Sequence, residues 1–493
     1  MRNQHKTTLT LLLILLVSAC SSAQPTDAPA PTNTAIPFVT ETAALPSETP
    51  APTNTPVPVL ERAKYKLDTT IDYDAHTVSV DETILYPNLT GNQLNTLVLS
   101  IQPNLYPGFS LSGFSVNREP NTTFSIDGQR MEVALTSMLP PGEVIELNLQ
   151  YTIQLPLIEP NDPTVSRPQI YGFTQRQLNL TNWYPFVVPY IGGEWILHDP
   201  WFYGEHLVYE VADFEVNLKF TDPTSAPVVA SSGVAEQKDG FVQYVINSAR
   251  AFVISASREY QVSSTQVGDT TVFSYYFPFN ERAGQAVLMV TAQAMQVFSQ
   301  KFGPYPHKSL SVVMAEFKDS MEFSALYFHS PLYYNQYDGT PMNYLTYIGV
   351  HETAHQWWFE QVASDQALQP WLDESLATYS ERIYYESVHP DLVSSWWVYR
   401  VDFFQPQGFL DIPVYEGQGF EPYRITIYLN GAHFLEKLRE RIGDEAFYAF
   451  LQDYVAQSSG KIVTANDFFR ILSQHTSADT SDLVRQYFQN IYQ

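Results

Sequence analysis

Apolar and polar residues alternate along most of the chain between residue 62 and about residue 258. The alternation has a period of two, as in strands with one buried face, and is clearest over residues 65–73, 145–153 and 214–220. Turn-forming pairs such as Asp127-Gly128 and Asp239-Gly240 separate runs of this kind. The pattern predicts a β domain over residues 62–258, built as a sandwich or as a saddle-shaped sheet.

Beyond about Val262 the apolar residues shift toward the 3.6-residue period of helices. Phe434, Leu435 and Leu438 mark one apolar face, and Gly443 is placed to end that helix. Other segments nearby repeat this spacing. The pattern predicts a mainly helical second domain over residues 259–493.

The first sixty residues resemble neither domain. Residues 1–20 place cationic residues ahead of an apolar run that is too short to cross a bilayer, and they end at Cys20. This has the form of an export signal, and the residues ending at Cys20 resemble a bacterial lipobox. Residues 21–61 are rich in Pro and Thr, which predicts a disordered tether. We predict an extracytoplasmic bacterial lipoprotein, anchored to a membrane through a lipid on Cys20. The alternative is an ordinary signal peptide with an incidental cysteine.

Net charge and cysteine content limit the binding partners and the metal sites that the chain can have. The chain carries 26 Lys and Arg against 52 Asp and Glu, a formal net charge of −26, and has no basic tract. Attraction to a phosphate backbone therefore cannot drive binding, and nucleic acid is excluded as a partner. Because the chain has one cysteine, neither an intramolecular disulfide nor a cysteine-rich metal site can form. Any metal must be held by histidine and carboxylate.

The residues for such a site occur in one pattern. In the segment 351–355, of sequence HETAH, a helix would place His351 and His355 on one face, where both can bind one ion. Glu352 would lie beside that ion and act on water. Glu374, 19 positions after His355, would supply the third ligand. Two histidines and a carboxylate form the open three-ligand site typical of catalytic zinc, one ion per chain, although spacing alone leaves another ion open.

This pattern, HExxH followed by eighteen residues and a glutamate, resembles that of the zinc aminopeptidases of the gluzincin group, which include membrane alanyl aminopeptidase and leukotriene hydrolase. The resemblance covers about residues 62–493. It implies an α+β multidomain fold, in which the N-terminal β domain precedes a thermolysin-like, mainly helical catalytic domain. It also implies peptide substrates from which N-terminal residues are removed. Many relatives carry a further helical domain, and since this chain ends where that domain would begin, we expect a more open cleft.

Three more segments extend the resemblance and imply roles for single residues. Residues 320–326 are similar to the GxMEN strand of the family, in which Glu322 would bind the free amine of the substrate. Tyr423 and Tyr428 resemble the paired tyrosines of the family; Tyr428 would stabilise the oxyanion and Tyr423 would contact the substrate. Residues 174–177 resemble the loop that completes the amine site, here with Gln175 and Gln177. Glu352 would be the general base.

Departures from the family pattern keep other functions open. Gln177 stands where the loop of the family commonly has a carboxylate, and Phe323 replaces the asparagine of GxMEN. Both changes weaken the predicted binding of the substrate amine. One alternative is an endopeptidase or another hydrolase of the same fold, and a second is a surface module that keeps zinc but does not catalyse. The catalytic residue types are all present, which favours an enzyme.

Overall fold

The computed structural model describes residues 60–159 and 169–492. Cys20, the predicted export signal and the predicted tether up to residue 59 lie outside the described residues. No helix within the described ranges combines the length and the apolar character needed to cross a bilayer.

The first part of the described chain is built of strands. Its largest sheet has eight strands in the order β16-β17-β14-β1-β2-β8-β4-β5, and two four-stranded sheets have the orders β15-β18-β10-β9 and β11-β3-β7-β6. The strands are β1 (Ala63–Asp72), β2 (Thr77–Pro87), β3 (Leu94–Ser100), β4 (Phe109–Val116), β5 (Glu119–Pro120), β6 (Phe124–Asp127), β7 (Arg130–Leu139), β8 (Val144–Gln154), β9 (Gly172–Phe173), β10 (Leu178–Leu180), β11 (Phe186–Val187), β12 (Tyr190–Ile191), β13 (Glu194–Trp195), β14 (Ala212–Phe220), β15 (Val228–Ser231), β16 (Val234–Lys238), β17 (Phe241–Ala249) and β18 (Ile254–Ser257).

Alternation along the strands of the large sheet produces one core. Leu67 of β1, Leu149 of β8 and Val216 of β14 are fully buried, whereas their neighbours along each strand are more exposed. Gly128 and Gly240 occupy tight turns between paired strands, with φ values of 54° and 83° that glycine adopts without strain. The predicted β-rich fold of this region is confirmed.

The second part opens with a sheet and continues with helices. The sheet has the order β19-β20-β21-β23-β22, so that β22 is an edge strand, antiparallel to β23. Its strands are β19 (Gln261–Val267), β20 (Thr270–Tyr276), β21 (Ser309–Met314), β22 (Met321–Phe323) and β23 (Leu326–His329), and a separate pair is β24 (Val362–Ser364) with β25 (Lys461–Val463). The helices are α1 (Glu281–Lys301), α2 (Pro331–Asn335), α3 (Tyr344–Ala354), α4 (Trp371–Val388), α5 (Val393–Trp396), α6 (Phe420–Arg424), α7 (Gly431–Ile442), α8 (Asp444–Ser458), α9 (Ala465–Leu472) and α10 (Ser481–Tyr487), with π-helical turns at Trp397–Val401 and Ile425–Asn430.

The predicted helical character is confirmed from α1 onward. The sequence pattern did not predict the five-stranded sheet with which this region begins. All residues of β21 and β23 are buried, so these strands face protein on both sides and show no alternation that a sequence pattern could reveal. The fold as a whole is the predicted α+β arrangement of a β-rich region followed by a helical one.

Arg250 links the β-rich region to the helical region through hydrogen bonds. Its side chain is buried, and its guanidinium donates hydrogen bonds to the backbone carbonyls of Tyr209 at 2.8 Å, Glu360 at 2.9 Å and Lys461 at 3.0 Å. Glu360 belongs to the turn that follows α3, and Lys461 begins β25. One buried cation thus holds together backbone from three distant parts of the chain.

Glu82 is a carboxyl group in the core of the β-rich region and yields a stability prediction. It is fully buried in β2, and neither carboxyl oxygen has a hydrogen-bond partner among the described residues. Burial raises the pKa of Glu82 well above its usual range. The folded protein therefore keeps a proton here that the unfolded chain releases above about pH 4.3.

We expect Glu82→Gln to stabilise the protein more as the pH rises. Above the unfolded pKa, keeping that proton costs the wild type about 1.4 kcal/mol per pH unit until the folded pKa is reached, and a neutral amide avoids this cost. Urea unfolding of both proteins at pH 5, 6, 7 and 8 measures the difference. Glu236→Gln, at an exposed position of β16, is the matched control. A difference that does not grow with pH would contradict the prediction.

Candidate active site

The HExxH segment forms the last turn of α3. Asn343 caps the start of this helix, where its side chain accepts a hydrogen bond from the backbone N–H of Thr346 at 3.1 Å. The helix is buried on nearly all sides, so His351 and His355 lie inside the protein. Their rings are one helical turn apart, with centroids separated by 4.8 Å.

Glu374 reaches both histidines from the first turn of α4. Its Oε2 lies 3.1 Å from His351 Nε2 and 3.6 Å from His355 Nε2. Ligands of a tetrahedral zinc ion with bonds of about 2.0 Å lie about 3.3 Å from one another. One ligand atom from each of the three residues lies within 4.8 Å of the others. The side chains that were predicted as metal ligands therefore converge at a spacing that fits one zinc ion.

Each histidine is oriented from behind by a second carboxylate. Asp373 Oδ1 lies 2.6 Å from His355 Nδ1, and Gln366 donates a hydrogen bond to the other oxygen of Asp373 at 2.6 Å. Glu381 Oε1 lies 3.2 Å from His351 Nδ1. Because the Nδ1 atoms face these carboxylates, the Nε2 atoms are left for a metal.

Arg400 balances the charge of Glu381. It donates to both carboxylate oxygens of Glu381, at 2.8 and 2.7 Å, and both residues are buried. Burial alone would raise the pKa of Glu381, but the charge of Arg400 and the hydrogen bonds from His351 and Arg400 together outweigh burial, and the pKa is lowered. Glu381 is thus held as an anion behind His351.

The protonation of the ligand groups also fits a cation. Burial opposes charge on both histidines, yet their contacts with Glu374, Glu381 and Asp373 raise the pKa values of His351 and His355. Burial likewise acts to raise the pKa of Glu374, and the two histidines override it and lower that pKa. A group of anions that draws protons onto buried imidazoles is also a group that binds a divalent ion in their place.

Glu352 lies in the same pocket, and one of its carboxyl oxygens makes no hydrogen bond to a described residue. Its side chain is buried, and its Oε2 has no hydrogen-bond partner among the described residues. One ligand atom each from Glu352, Glu322 and His355 lies within 4.8 Å of the others. Burial raises the pKa of Glu352 well above its usual range. A free, weakly acidic carboxylate next to the metal ligands can take up a proton and give it back.

Glu322 projects from the edge strand β22 into this pocket. It is buried, and Gln366 donates a hydrogen bond to it at 3.3 Å. Burial raises the pKa of Glu322 to about 7. A carboxylate in this setting is stabilised by any cationic group that enters the pocket.

Tyr428 lies over the ligand group and Tyr423 lies behind it. The ring of Tyr428, in the π-helical turn Ile425–Asn430, is stacked on His351 at 5.6 Å with 9° between the planes. Burial raises the pKa of Tyr428 well above its usual range, so its hydroxyl stays protonated. Tyr423 is fully buried, and its ring contacts those of Tyr428 at 6.0 Å and Tyr203 at 5.2 Å. Tyr423 thus supports Tyr428 and does not line the pocket, and its contact with a substrate stays a prediction.

The structure brings neither Gln175 nor Gln177 to the pocket, and their binding of the amine stays a prediction. The Gln177 amide is buried; it donates to Met314 O at 2.9 Å and to the hydroxyl of Tyr260, and its oxygen accepts from Glu316 N at 3.0 Å. Its hydrogen-bonding groups are thus committed to the fold. Gln175 is exposed, and neither glutamine lines the pocket.

The loop that does reach the pocket contains Glu205. The pocket, hereafter the zinc-site cavity, has a volume of about 310 Å³ and is lined by Glu205 together with Glu322, Glu352, Glu374 and Tyr428, among others. Sequence reasoning missed Glu205, because the irregular segment around it carries no recognisable motif. It also missed Asp373 and Glu381, although both could have been found: one precedes Glu374 directly, and the other follows Glu374 by two helical turns on the same face.

The fold and the site resemble those of the zinc metallopeptidases of the gluzincin group. Residues 287–487 match the sequence model of the Peptidase family M1 domain. This match confirms the resemblance to the zinc aminopeptidases, and the group formed by His351, His355 and Glu374 agrees with zinc as the cofactor of an enzyme.

Curated relatives and solved structures agree with this assignment. Aminopeptidase 2 of Candida albicans is 25% identical over 234 residues, which cover 44% of this chain and 25% of the relative. Aminopeptidase N of Haemophilus influenzae is 29% identical over 68 residues, 14% of this chain and 8% of the relative. The chain thus matches a quarter or less of the length of these relatives.

Two solved structures share the fold over most of the chain. A two-domain M1 zinc metallopeptidase mutant bound to L-tryptophan has a TM-score of 0.63 at 20% identity and covers 88% of this chain and 97% of its own. An M1 zinc metallopeptidase mutant from Deinococcus radiodurans, bound to a Tyr-Ser-Ala substrate, has a TM-score of 0.61 at 21% identity and covers 88% and 96%. These matches show that the β-rich and helical regions form a known two-domain arrangement.

We expect Asp373→Asn to weaken zinc binding about 10- to 100-fold, because an amide no longer orients His355 as an anion does. Competition with a chromogenic chelator measures the dissociation constant. Asp365→Asn is the matched control, since Asp365 also contacts a histidine, His198, at 2.8 Å but contributes no ligand to the group. Equal zinc affinity of wild type and Asp373→Asn, with the fold intact by circular dichroism, would contradict the prediction.

Proposed function

We propose that this protein is a zinc aminopeptidase that removes the first residue of peptides. The proposal depends on Glu322, a buried carboxylate on an edge strand that lies in one cavity with Glu352 and the three ligand residues. The ammonium group at a peptide N-terminus is the cation that would pair with Glu322. When Glu322 holds the amine, the first peptide bond of the peptide lies at the ligand group. The position of Glu322 therefore determines which bond is cut.

The neighbouring residues supply the proton transfers. Zinc, when bound by His351, His355 and Glu374, supplies a Lewis acid that activates water and polarises a carbonyl. Glu352 accepts a proton from the attacking water and passes it to the leaving amine; its unpartnered oxygen and raised pKa suit both steps. Tyr428 donates its hydroxyl proton in a hydrogen bond to the oxyanion, as its burial beside His351 allows.

The relatives support peptides with free N-termini as substrates. Two of them are named aminopeptidases, and one solved structure holds a Tyr-Ser-Ala substrate. A mutant M1 zinc metallopeptidase with L-arginine bound has a TM-score of 0.62 at 20% identity. For this chain, we infer that short peptides with a free amine are cleaved at the first bond.

We further propose that the enzyme acts outside the cytoplasm, attached to a membrane through a lipid on Cys20. The support is the sequence of residues 1–20, which has the order of an export signal and ends at the cysteine, and the Pro- and Thr-rich stretch that follows. An anchor of this kind would let the enzyme act on peptides from the surroundings or the cell envelope.

The zinc-loaded protein is expected to hydrolyse aminoacyl-arylamides and to leave their N-acetylated counterparts uncut, because an acetyl group removes the charge that Glu322 pairs with. Glu352→Gln is expected to lower kcat by at least about 100-fold while zinc remains bound, since the amide cannot accept a proton. Release of the arylamine and zinc content per chain are the measurements.

The same assay separates the alternatives. Cleavage of acetylated and free substrates at equal rates would refute the role of Glu322 and favour an endopeptidase. Absence of any turnover in a protein that binds one zinc per chain would favour a surface module without catalysis.

A further inference from the structure

A second cavity meets the zinc-site cavity at Glu322. It has a volume of about 500 Å³, and Glu205, Met321 and Glu322 line both cavities. The first residue of a bound peptide has its amine at Glu322 and its carbonyl at the ligand group, so its side chain starts where the two cavities join. The zinc-site cavity is smaller and holds the reacting groups. The second cavity is therefore the space that the first side chain enters.

Seven of the residues that line the second cavity are Phe, Tyr or Trp, and we call it the aromatic cavity. The wall contains three pairs of neighbouring rings. The ring centroids are 5.4 Å apart for Tyr106 and Tyr171, 5.1 Å for Trp201 and Phe202, and 6.3 Å for Tyr209 and Phe359, the last pair edge to face. Such pairs present ring faces and edges against which a further aromatic ring can pack.

We propose that the aromatic cavity binds the side chain of the first substrate residue and selects aromatic residues. The rings of the wall pack against the ring of the substrate. This specificity rests on the proposed aminopeptidase function.

The test compares kcat/KM of the zinc-loaded protein for tyrosyl-, phenylalanyl-, alanyl- and arginyl-arylamides. We expect kcat/KM for both aromatic substrates to exceed that for alanine by at least about tenfold.

Phe202→Ala and Phe403→Ala form a matched pair. Both rings are exposed, by 69% and 74%, but only Phe202 lines either of the two cavities described here. Phe202→Ala is expected to lower the ratio of aromatic to alanine substrates about threefold or more, whereas Phe403→Ala leaves it unchanged. Equal ratios in the two variants, or a wild type that prefers alanine or arginine, would overturn the proposal.

A binding measurement distinguishes failure of this proposal from failure of the proposed function. The zinc-loaded Glu352→Gln protein is titrated calorimetrically with the amides of tyrosine, phenylalanine and alanine. If the wild type cuts acetylated peptides or cuts nothing, the aminopeptidase function fails, and the order of the three dissociation constants alone decides the specificity. Tighter binding of the tyrosine and phenylalanine amides than of the alanine amide supports the proposal, and equal binding of all three refutes it.

Discussion

Two imidazole rings, each fixed from behind by a buried carboxylate, are the constraint on which the rest of this site depends. Asp373 faces His355 and Glu381 faces His351, so both rings turn their Nε2 atoms toward Glu374. The side chains of the cluster are buried, and anions in such number are costly in the protein interior unless a cation joins them. A divalent ion meets that need, and helices α3 and α4 pack against each other around the place where it binds.

Sequence reasoning found the parts of the site that are local in the chain. His351, Glu352 and His355 lie within one helical turn, and the position of Glu374 followed a known spacing, so that a periodic pattern was enough to place them together. The position of Glu322 on a strand also followed from the resemblance of its segment to the GxMEN motif. The alternating strands of the β-rich region were predictable for the same reason, because each position depends on its neighbours two residues away.

The contributions from distant segments could not be predicted in this way. Gln177 occupies the expected position in the sequence, but its amide is committed to Met314 and Glu316, and Glu205 from a later loop lines the cavity instead. The sequence around Gln177 or Glu205 does not indicate which backbone groups the side chain will contact. The fully buried strand β21 was missed for a related reason, since a strand that is covered on both faces has no polar side to mark it.

The β-rich region does more than precede the catalytic region. It supplies Arg250, which binds backbone around the turn after α3, and it supplies Glu205 and most of the rings of the aromatic cavity. The metal ligands and most rings of the aromatic cavity thus come from different parts of the chain.

The most direct test of the account is the order in which products form from a peptide with a free amine. The zinc-loaded protein is incubated with a hexapeptide that begins with tyrosine, and the products are followed by mass spectrometry over time. Free tyrosine and the pentapeptide are expected to appear first, because Glu322 would hold the amine one residue from the metal. Internal fragments as the first products would contradict it.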